Sequence, residues 1–205
     1  MDPSEIKISA EPSQSHPETC KFTVDRPVYP DGSVYFASAK QIVGSPLAEK
    51  LFNHQDLGVA ELLIADETVT VTLNRQGYVD WQTEGRKVAD LIRQQLCSDE
   101  PAVSEKIRDT IPPESDIQQQ VQQVLDTRIN PAVAAHGGRV ALLDVKGNRV
   151  YLQFSGGCQG CGMADVTLKH GVERAIREEV PAVGQILDTT DHAGGKNPYF
   201  ASSRR

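Results

Sequence analysis

A stretch rich in proline and charge divides this chain of 205 residues into two parts. It runs from Ser98 to Ser115, reads SDEPAVSEKIRDTIPPES, and offers few residues that could join a hydrophobic core. Its Pro112-Pro113 pair stiffens the backbone toward an extended path. Each flanking part is close to the size of a small domain, about 100 residues. We therefore predict two domains, 1–97 and 115–190, joined by a linker, 98–114. The alternative is one domain with a long surface loop.

The charge is distributed unevenly between the two parts. Residues 1–113 hold 18 acidic and 11 basic side chains, whereas the residues from 114 onward hold 10 of each. Neither part offers the basic face that phosphate binding needs, so we expect no nucleic-acid partner. No apolar stretch approaches the roughly 20 residues that span a bilayer, and Met1–Glu5 carries two acids, unlike a secretory or transit peptide. We expect a soluble, cytoplasmic protein with reduced thiols and no membrane partner.

The N-terminal part has the pattern of a layer of strands and helices. Thr68–Leu73 alternates threonine with valine or leucine, the period of two of a half-buried strand. Ser45-Pro46 predicts a helix start, because serine is a good N-cap and proline fits the first helical position. A second helical stripe of apolar residues follows Trp81. The predicted strands are Ile6–Ala10, Cys20–Val24, Ala60–Ile64 and Thr68–Leu73.

The C-terminal part has the order helix, strand, strand, helix, strand. Apolar residues at helical spacing predict one helix from Ile117, which Pro131 kinks or restarts and Gly137-Gly138 ends, and another from Leu168 to Val180. The predicted strands are Val140–Val145, Arg149–Phe154 and Val183–Leu187. This order predicts an α+β fold, and the whole chain is predicted to be two small α/β-layer domains. The tail, 191–205, is expected to be flexible.

The candidate functional residues are two cysteines in a glycine-rich bend. Cys158 and Cys161 lie in the run FSGGCQGCGM, between a predicted strand and a predicted helix. A thiolate is the form that binds metal, and its pKa falls beside a metal or at a helix N-terminus. Glycine has no Cβ, so the backbone can turn sharply and approach a bulky ligand. Such a bend suits an iron–sulfur cluster.

A Cys-x-x-Cys motif alone also occurs in redox enzymes, zinc sites and disulfides. A thioredoxin-like site is expected after a strand of a βαβ unit, whereas this pair follows a predicted hairpin and is flanked by glycine. A structural zinc site needs four local N or S ligands. The candidate histidines are His136, which reads as a capping or surface group, His170, which reads as a solvated residue, and His192.

The cysteine count points to a shared site. A cluster usually takes four cysteines, and the only others in the chain, Cys20 and Cys97, lie in the N-terminal part. By default these two are small, partly buried residues that ligate nothing. Two subunits could each lend Cys158 and Cys161 to one cluster, near the surface at a two-fold axis.

Several separated motifs of the C-terminal part occur together and in order. They are Asn130-Pro131, His136-Gly137-Gly138-Arg139-Val140, Gly157-Cys158-Gln159-Gly160-Cys161, Thr167-Leu168 and Gly171-Val172-Glu173. In this combination, residues 115–190 resemble the Nfu domain, the C-terminal domain of NifU-type proteins. The resemblance implies an α+β unit that holds a 4Fe-4S cluster between the CxxC motifs of two subunits, with 2Fe-2S as the alternative. It also implies transfer of the cluster to apo-proteins.

The N-terminal part is similar to the domain that precedes the Nfu domain in many proteins of this type. The similarity rests on Cys20-Lys21-Phe22, Ser45-Pro46-Leu47-Ala48, Val69-Thr70-Val71-Thr72 and Asp80-Trp81, among other motifs. Together the two resemblances imply a non-enzymatic scaffold and carrier whose partners are apo iron–sulfur clients, upstream assembly proteins and a second copy of the chain. The acidic N-terminal part is expected to choose or tether clients. The alternatives are a thiol-disulfide oxidoreductase and an interaction adaptor with incidental thiols.

Overall fold

The computed structural model describes residues 5–75, 77–135, 137–156 and 162–189. The chain divides into two compact units, Met1–Ile111 and Pro112–Arg205. Both units combine helices with a sheet, so the predicted α+β class is confirmed. No helix within the described ranges is both long enough and apolar enough to cross a membrane.

A five-stranded antiparallel sheet forms the centre of the N-terminal unit. Its strand order is β1-β2-β5-β4-β3, so the two outer strands are β1 and β3. The inner strands β2 and β5 pair across a long sequence separation, with Cys20 opposite Val71. The strands are β1 (Ile8–Pro12), β2 (Thr19–Val24), β3 (Tyr29–Phe36), β4 (Val59–Asp66) and β5 (Thr68–Leu73).

Helices pack against one face of this sheet, as the alternating pattern predicts. In β5 the valines and the leucine are buried and the threonines are partly exposed. The predicted cap at Ser45 is confirmed, because its side chain accepts a hydrogen bond from the Ala48 N–H at 3.2 Å. Trp81 packs edge-to-face on Phe22, with ring centres 6.2 Å apart. The helices are α1 (Pro46–Phe52), α2 (Trp81–Leu96) and α3 (Glu105–Asp109), with a 3-10 turn at Ala39–Gln41.

Strand β3 has no counterpart in the sequence prediction. It contains Pro30 and Gly32, which ordinarily indicate a turn, and its pairing with β4 shifts register between Tyr29 and Ser33. Proline is tolerated at a bulge on an edge strand because no ladder hydrogen bond is lost there. A Cβ on Gly32 would lie 2.3 Å from the Tyr29 ring, so glycine is required where this ring folds over the bulge.

Part of the segment 98–114, predicted to be a linker, packs on the N-terminal unit. Ala102 and Val103 are 5% and 4% exposed and join its hydrophobic core. The Ala102 carbonyl accepts hydrogen bonds from the Ser45 hydroxyl, at 2.9 Å, and from the Leu47 N–H, at 3.2 Å. In α3, Arg108 donates to the Pro30 carbonyl at 2.9 Å. The N-terminal unit therefore extends beyond residue 97, because two apolar residues in a polar segment are enough to dock it.

The C-terminal unit has the predicted order of helix, strand, strand, helix and strand. Its sheet order is β6-β7-β8, in which β6 and β7 are antiparallel and β7 and β8 are parallel. Helix α4 contacts both β6 and α6. The elements are α4 (Glu114–Val124), α5 (Asn130–Ala134), β6 (Gly138–Lys146), β7 (Arg149–Gly156), α6 (Gly162–Glu179) and β8 (Ile186–Asp188).

The predicted irregularity at Pro131 takes the form of a π-helical turn. Residues Leu125–Ile129 form this turn and join α4 to α5 without a break in the helical backbone. Proline has no N–H, and its ring clashes with the carbonyl four residues earlier, that of Thr127. A wider turn just before Pro131 relieves the clash. The Thr127 hydroxyl donates to the Gln123 carbonyl at 2.7 Å, which connects the turn to the last residues of α4.

Candidate functional site

The fold carries the thiol segment between a strand and a helix, as predicted. Strand β7 ends at Gly156, and α6 begins at Gly162. Cys158 and Cys161, the predicted ligands, belong to the five intervening residues, 157–161, which lie outside the described residues. The described structure therefore defines the supports of the thiols at both ends.

Two glycine positions make close contact where β7 ends. Gly156 has a φ of +69° and pairs with Gly138 across the β6–β7 ladder. A Cβ on Gly156 would lie 2.1 Å from the Gly137 carbonyl oxygen. Only a residue without a side chain permits this approach, so glycine at position 156 lets the end of β7 pack directly on the Gly137-Gly138 turn. This contact explains why glycine is needed at the end of β7; at Gly137 a Cβ would meet nothing within 4 Å, and it is the φ of +69° that favours glycine there.

Asn130 ties the helical segment to the same end of the hairpin. Its amide nitrogen donates to the Val140 carbonyl at 3.0 Å, and its amide oxygen accepts from the Val140 N–H at 2.9 Å. The side chain therefore bonds to the outer edge of β6 as a neighbouring strand would. Val140 pairs with Phe154, two residues before the end of β7. Asn130 thus holds β6, which is the partner of the strand that leads to the thiols.

Sequence reasoning missed a buried ion pair in this unit. Lys169, on α6, lies 2.7 Å from Asp188, on β8, and the two side chains are 13% and 5% exposed. The Lys169 ammonium group also lies 5.5 Å from the centre of the Phe154 ring. The available signal was the position of Lys169 directly after Leu168, at the border of the apolar stripe of α6.

The hairpin expected before the thiols is confirmed, but the contrast drawn between it and a strand of a βαβ unit is wrong. Strand β7 belongs to both arrangements: it is the second strand of the β6–β7 hairpin, and it also pairs in parallel with β8 after α6. The backbone position of the motif therefore does not separate a cluster site from a thiol redox site.

The other two cysteines are in the N-terminal unit and are not joined in a disulfide. Cys20 is fully buried on β2, and burial raises the pKa of its thiol to about 11. It is therefore a neutral core residue at physiological pH. Cys97 is half-buried at the C-terminal end of α2.

Of the three candidate histidines, the described residues include His170 alone. His170 is exposed on α6, as expected, whereas His136 and His192 lie outside the described residues. Within the described ranges, no three histidine, cysteine, aspartate or glutamate side chains are grouped so that they could hold a metal ion.

Comparison with known protein families matches both units. The NifU-like domain matches residues 121–187. The scaffold protein Nfu/NifU N-terminal domain matches residues 8–99.

The curated relatives include Fe/S biogenesis proteins NfuA. The protein of Pseudomonas savastanoi pv. phaseolicola is 47% identical over 91 residues, which are 42% of this chain and 46% of that protein. The protein of Xanthomonas euvesicatoria pv. vesicatoria is 48% identical over 97 residues, 46% of this chain and 49% of that protein. The match thus spans about half the length of these relatives. Among solved structures, a NifU-like protein from Saccharomyces cerevisiae aligns with a TM-score of 0.42 and 24% identity, covering 49% of this chain and 86% of that chain.

Proposed function

Because the chain belongs to the Nfu/NifU family and carries both of its domains, we propose that it is an iron–sulfur cluster scaffold and carrier. Cys158 and Cys161 bind the cluster, and the protein delivers it to apo-proteins without catalysing a covalent change in a substrate. The observation that carries the proposal is the placement of this pair of thiols between the glycine-supported end of β7 and the start of α6.

The cluster is a 4Fe-4S unit shared by two subunits. Four thiolates are the usual ligand set for such a cluster, and one chain offers two in this segment. Because Cys20 is buried with a raised thiol pKa, it is not available as a third ligand. Cluster binding and pairing of two chains are therefore one event, and a 2Fe-2S cluster would need the same four thiolates.

Delivery proceeds by ligand exchange. Thiolates of the recipient attack the irons and displace Cys158 and Cys161 one at a time, as in other thiolate exchanges. This route requires a cluster that is accessible at the surface and held with moderate affinity. The partners are apo iron–sulfur proteins and the assembly proteins that load the carrier. We place the protein in the cytoplasm, where thiols remain reduced.

The N-terminal unit chooses or tethers the clients. Its net acidity, 18 acids against 11 bases in residues 1–113, and the absence of a metal-ligating group among its described residues support this division of labour. Residues 112–205 alone should take up a cluster but deliver it more slowly. This fragment begins at residue 112 because Ala102 and Val103 are part of the N-terminal core, so an earlier boundary would divide that core. Unchanged delivery to every client would reject this role.

Anaerobic reconstitution with iron and sulfide tests the proposal. We expect a brown dimer with about two irons and two sulfides per subunit. Cys158→Ser and Cys161→Ser should abolish the colour. Cys97→Ser and Cys20→Ala should retain it; alanine is chosen at Cys20 because a serine hydroxyl would be buried there.

The alternative is a thiol-disulfide oxidoreductase that uses the same two cysteines. The two family matches do not favour this alternative, although β7, α6 and β8 form the βαβ arrangement in which such a site is expected. A colourless monomer that reduces disulfides would favour it over the carrier.

A further inference from the structure

The sheet of the N-terminal unit has a second face, opposite the one on which the helices pack. In β5 the threonines point to this second face, because the valines and the leucine that alternate with them are buried. The strand register places Leu63 of β4 opposite Thr70, and Tyr35 of β3 opposite Leu63. We call the partly exposed residues on this side of the sheet the open face. They are Thr19, Thr23, Tyr35, Leu63, Thr68, Thr70 and Thr72.

The open face contains no charged residue. Lysine, glutamate and arginine are the usual residues at exposed positions, and charged residues make up 24% of this chain. Lys21 lies between two of the threonines along β2, but its ammonium group pairs with Glu11 of β1 at 3.2 Å. Threonine by itself is common in strands, so the lack of charge from Thr70 through Leu63 to Tyr35 is the distinguishing feature. Interface cores are likewise depleted in charge and enriched in tyrosine.

The border of the open face is acidic. Glu61 is paired with Thr72 in the strand register, Glu67 directly precedes Thr68, and both glutamates are exposed. Within the described ranges, neither glutamate belongs to an ion pair. Because the charges of Lys21 and Glu11 offset each other, the border is negative. Interfaces bring complementary potentials together, so the open face fits a partner with an uncharged centre and a basic border.

The size of the open face favours a partner that binds briefly. Its four strands, about 4.8 Å apart, and the five residues from Thr68 to Thr72, about 3.4 Å each, span roughly 300 Å². A stable complex usually buries about 800 Å² on each partner, so this face alone would not hold a second copy of the chain. A transient partner suits a carrier, which must release its client after delivery.

We propose that the open face is the surface on which a folded apo iron–sulfur client docks during delivery. The client contacts the open face with uncharged groups and surrounds it with basic ones. Threonine is β-branched and has few rotamers, so docking on it costs little side-chain entropy. The inference rests on the proposed function and names the surface through which the N-terminal unit chooses its clients.

The test measures transfer of a cluster labelled with radioactive iron from the full chain to two recipients. The first is a chelator-treated extract of the cells that make the protein, whose apo-proteins include the natural clients. The second is a short unstructured peptide with the cysteines of a cluster site, which has no folded surface to dock. Thr70→Lys places a charge on the open face, and Thr70→Val keeps the shape of the side chain without one. Glu61→Lys reverses a charge at the border.

The matched control is Glu49→Lys, which makes the same charge change at an exposed position of α1, on the side of the helices. Circular dichroism and Trp81 fluorescence verify that each variant folds. Size-exclusion chromatography of the apo-protein compares its oligomeric state between the variants and the wild type.

We expect Thr70→Lys to slow transfer to the extract at least about tenfold, because an unpaired charge at an interface is costly, and to leave transfer to the peptide unchanged. Thr70→Val should transfer at the wild-type rate to both recipients. Glu61→Lys should slow transfer to the extract at low salt but not at high salt, since salt screens exposed charges. Glu49→Lys should change neither rate.

Transfer to the extract at the wild-type rate by a folded Thr70→Lys variant would overturn the inference. Equal slowing toward the extract and the peptide would also overturn it, because the charge would then act on the donor itself, and so would a changed oligomeric state, which would assign the face to a second copy. If Thr70→Lys does not fold, Glu61→Lys decides, and an effect that is absent at low salt rejects the docking face. A wild-type chain that transfers no cluster to either recipient would refute the proposed function, and the inference with it, whereas normal transfer that no variant alters rejects the docking face alone.

Discussion

Replacing Gly156 by alanine should unfold the C-terminal unit at a lower urea concentration. Gly156 has a φ of +69°, a conformation that costs an L-residue about 1–2 kcal/mol. Its new Cβ would also lie 2.1 Å from the Gly137 carbonyl oxygen, and separating the two backbones should add about 1–3 kcal/mol, as overpacking does elsewhere. We therefore expect a loss of about 2–5 kcal/mol in the free energy of unfolding.

Gly147→Ala is the matched control for this prediction. Gly147 also has a positive φ, +59°, but a Cβ there would meet nothing within 4 Å. Its loss should be only the conformational part, about 1–2 kcal/mol. The difference between the two variants isolates the contact between Gly156 and Gly137.

The assay is urea unfolding of the full chain, followed by two signals. Circular dichroism reports on both units, whereas fluorescence of the single tryptophan, Trp81, reports on the N-terminal unit. The Trp81 transition should be the same in both variants and in the wild type. If Gly156→Ala and Gly147→Ala lose equal stability, the close approach of the two glycine backbones does not exist and the reasoning is refuted. Cluster retention should fall in Gly156→Ala alone.

Three further predictions use similar measurements. Asn130→Ala leaves the Val140 N–H and C=O without their partner, so urea unfolding should show a loss of about 1–3 kcal/mol; a loss near zero would contradict the bridge. Burial raises the thiol pKa of Cys20 from 9.0 to about 11 in the folded chain, so stability should be complete below pH 9 and fall as the pH approaches 11. Cys20→Ala should flatten that fall. A fragment 1–97 should melt below a fragment 1–111 by tryptophan fluorescence, and equal melting would show that the docked segment contributes nothing.

The parts of the fold that sequence predicts are those with a regular apolar period. The alternation in β5 and the helical stripe after Trp81 predicted elements that the structure confirms. Each of these elements buries one face, so its pattern follows from its own residues. Strand β3 has no such pattern, because Pro30 and Gly32 are accommodated only by the bulge opposite β4 and by the Tyr29 ring.

Short segments that pack on a domain through distant contacts are not predicted from the sequence, for a related reason. Helix α3 has only five residues, fewer than a helix needs for stability by itself. It forms where Ser104 bonds to the Gly44 carbonyl, at 2.8 Å, and Arg108 reaches Pro30. The residues in each of these contacts are more than 50 positions apart in sequence, so no local periodicity indicates them.

At the candidate site, the cysteine pair could be proposed from the sequence, whereas the contacts at either end of its segment could not. The thiol pair and its glycines were evident from residue types and spacing. The bridge from Asn130 to Val140 and the pair of Lys169 with Asp188 each join two elements. A polar side chain in a helix reads as solvated unless its partner is known, which is why Lys169 was overlooked.

The pairing of β2 with β5 determines when the N-terminal unit can fold during synthesis on the ribosome. Cys20 faces Val71, so β2 must wait for 51 further residues before its inner neighbour exists. Ala102 and Val103 emerge later still. Until then the first turn of α1 lacks the Ala102 carbonyl as a hydrogen-bond acceptor, and the core lacks both side chains. A nascent chain halted near residue 97 would therefore present an open apolar edge to chaperones, and only translation past the docked segment would close it.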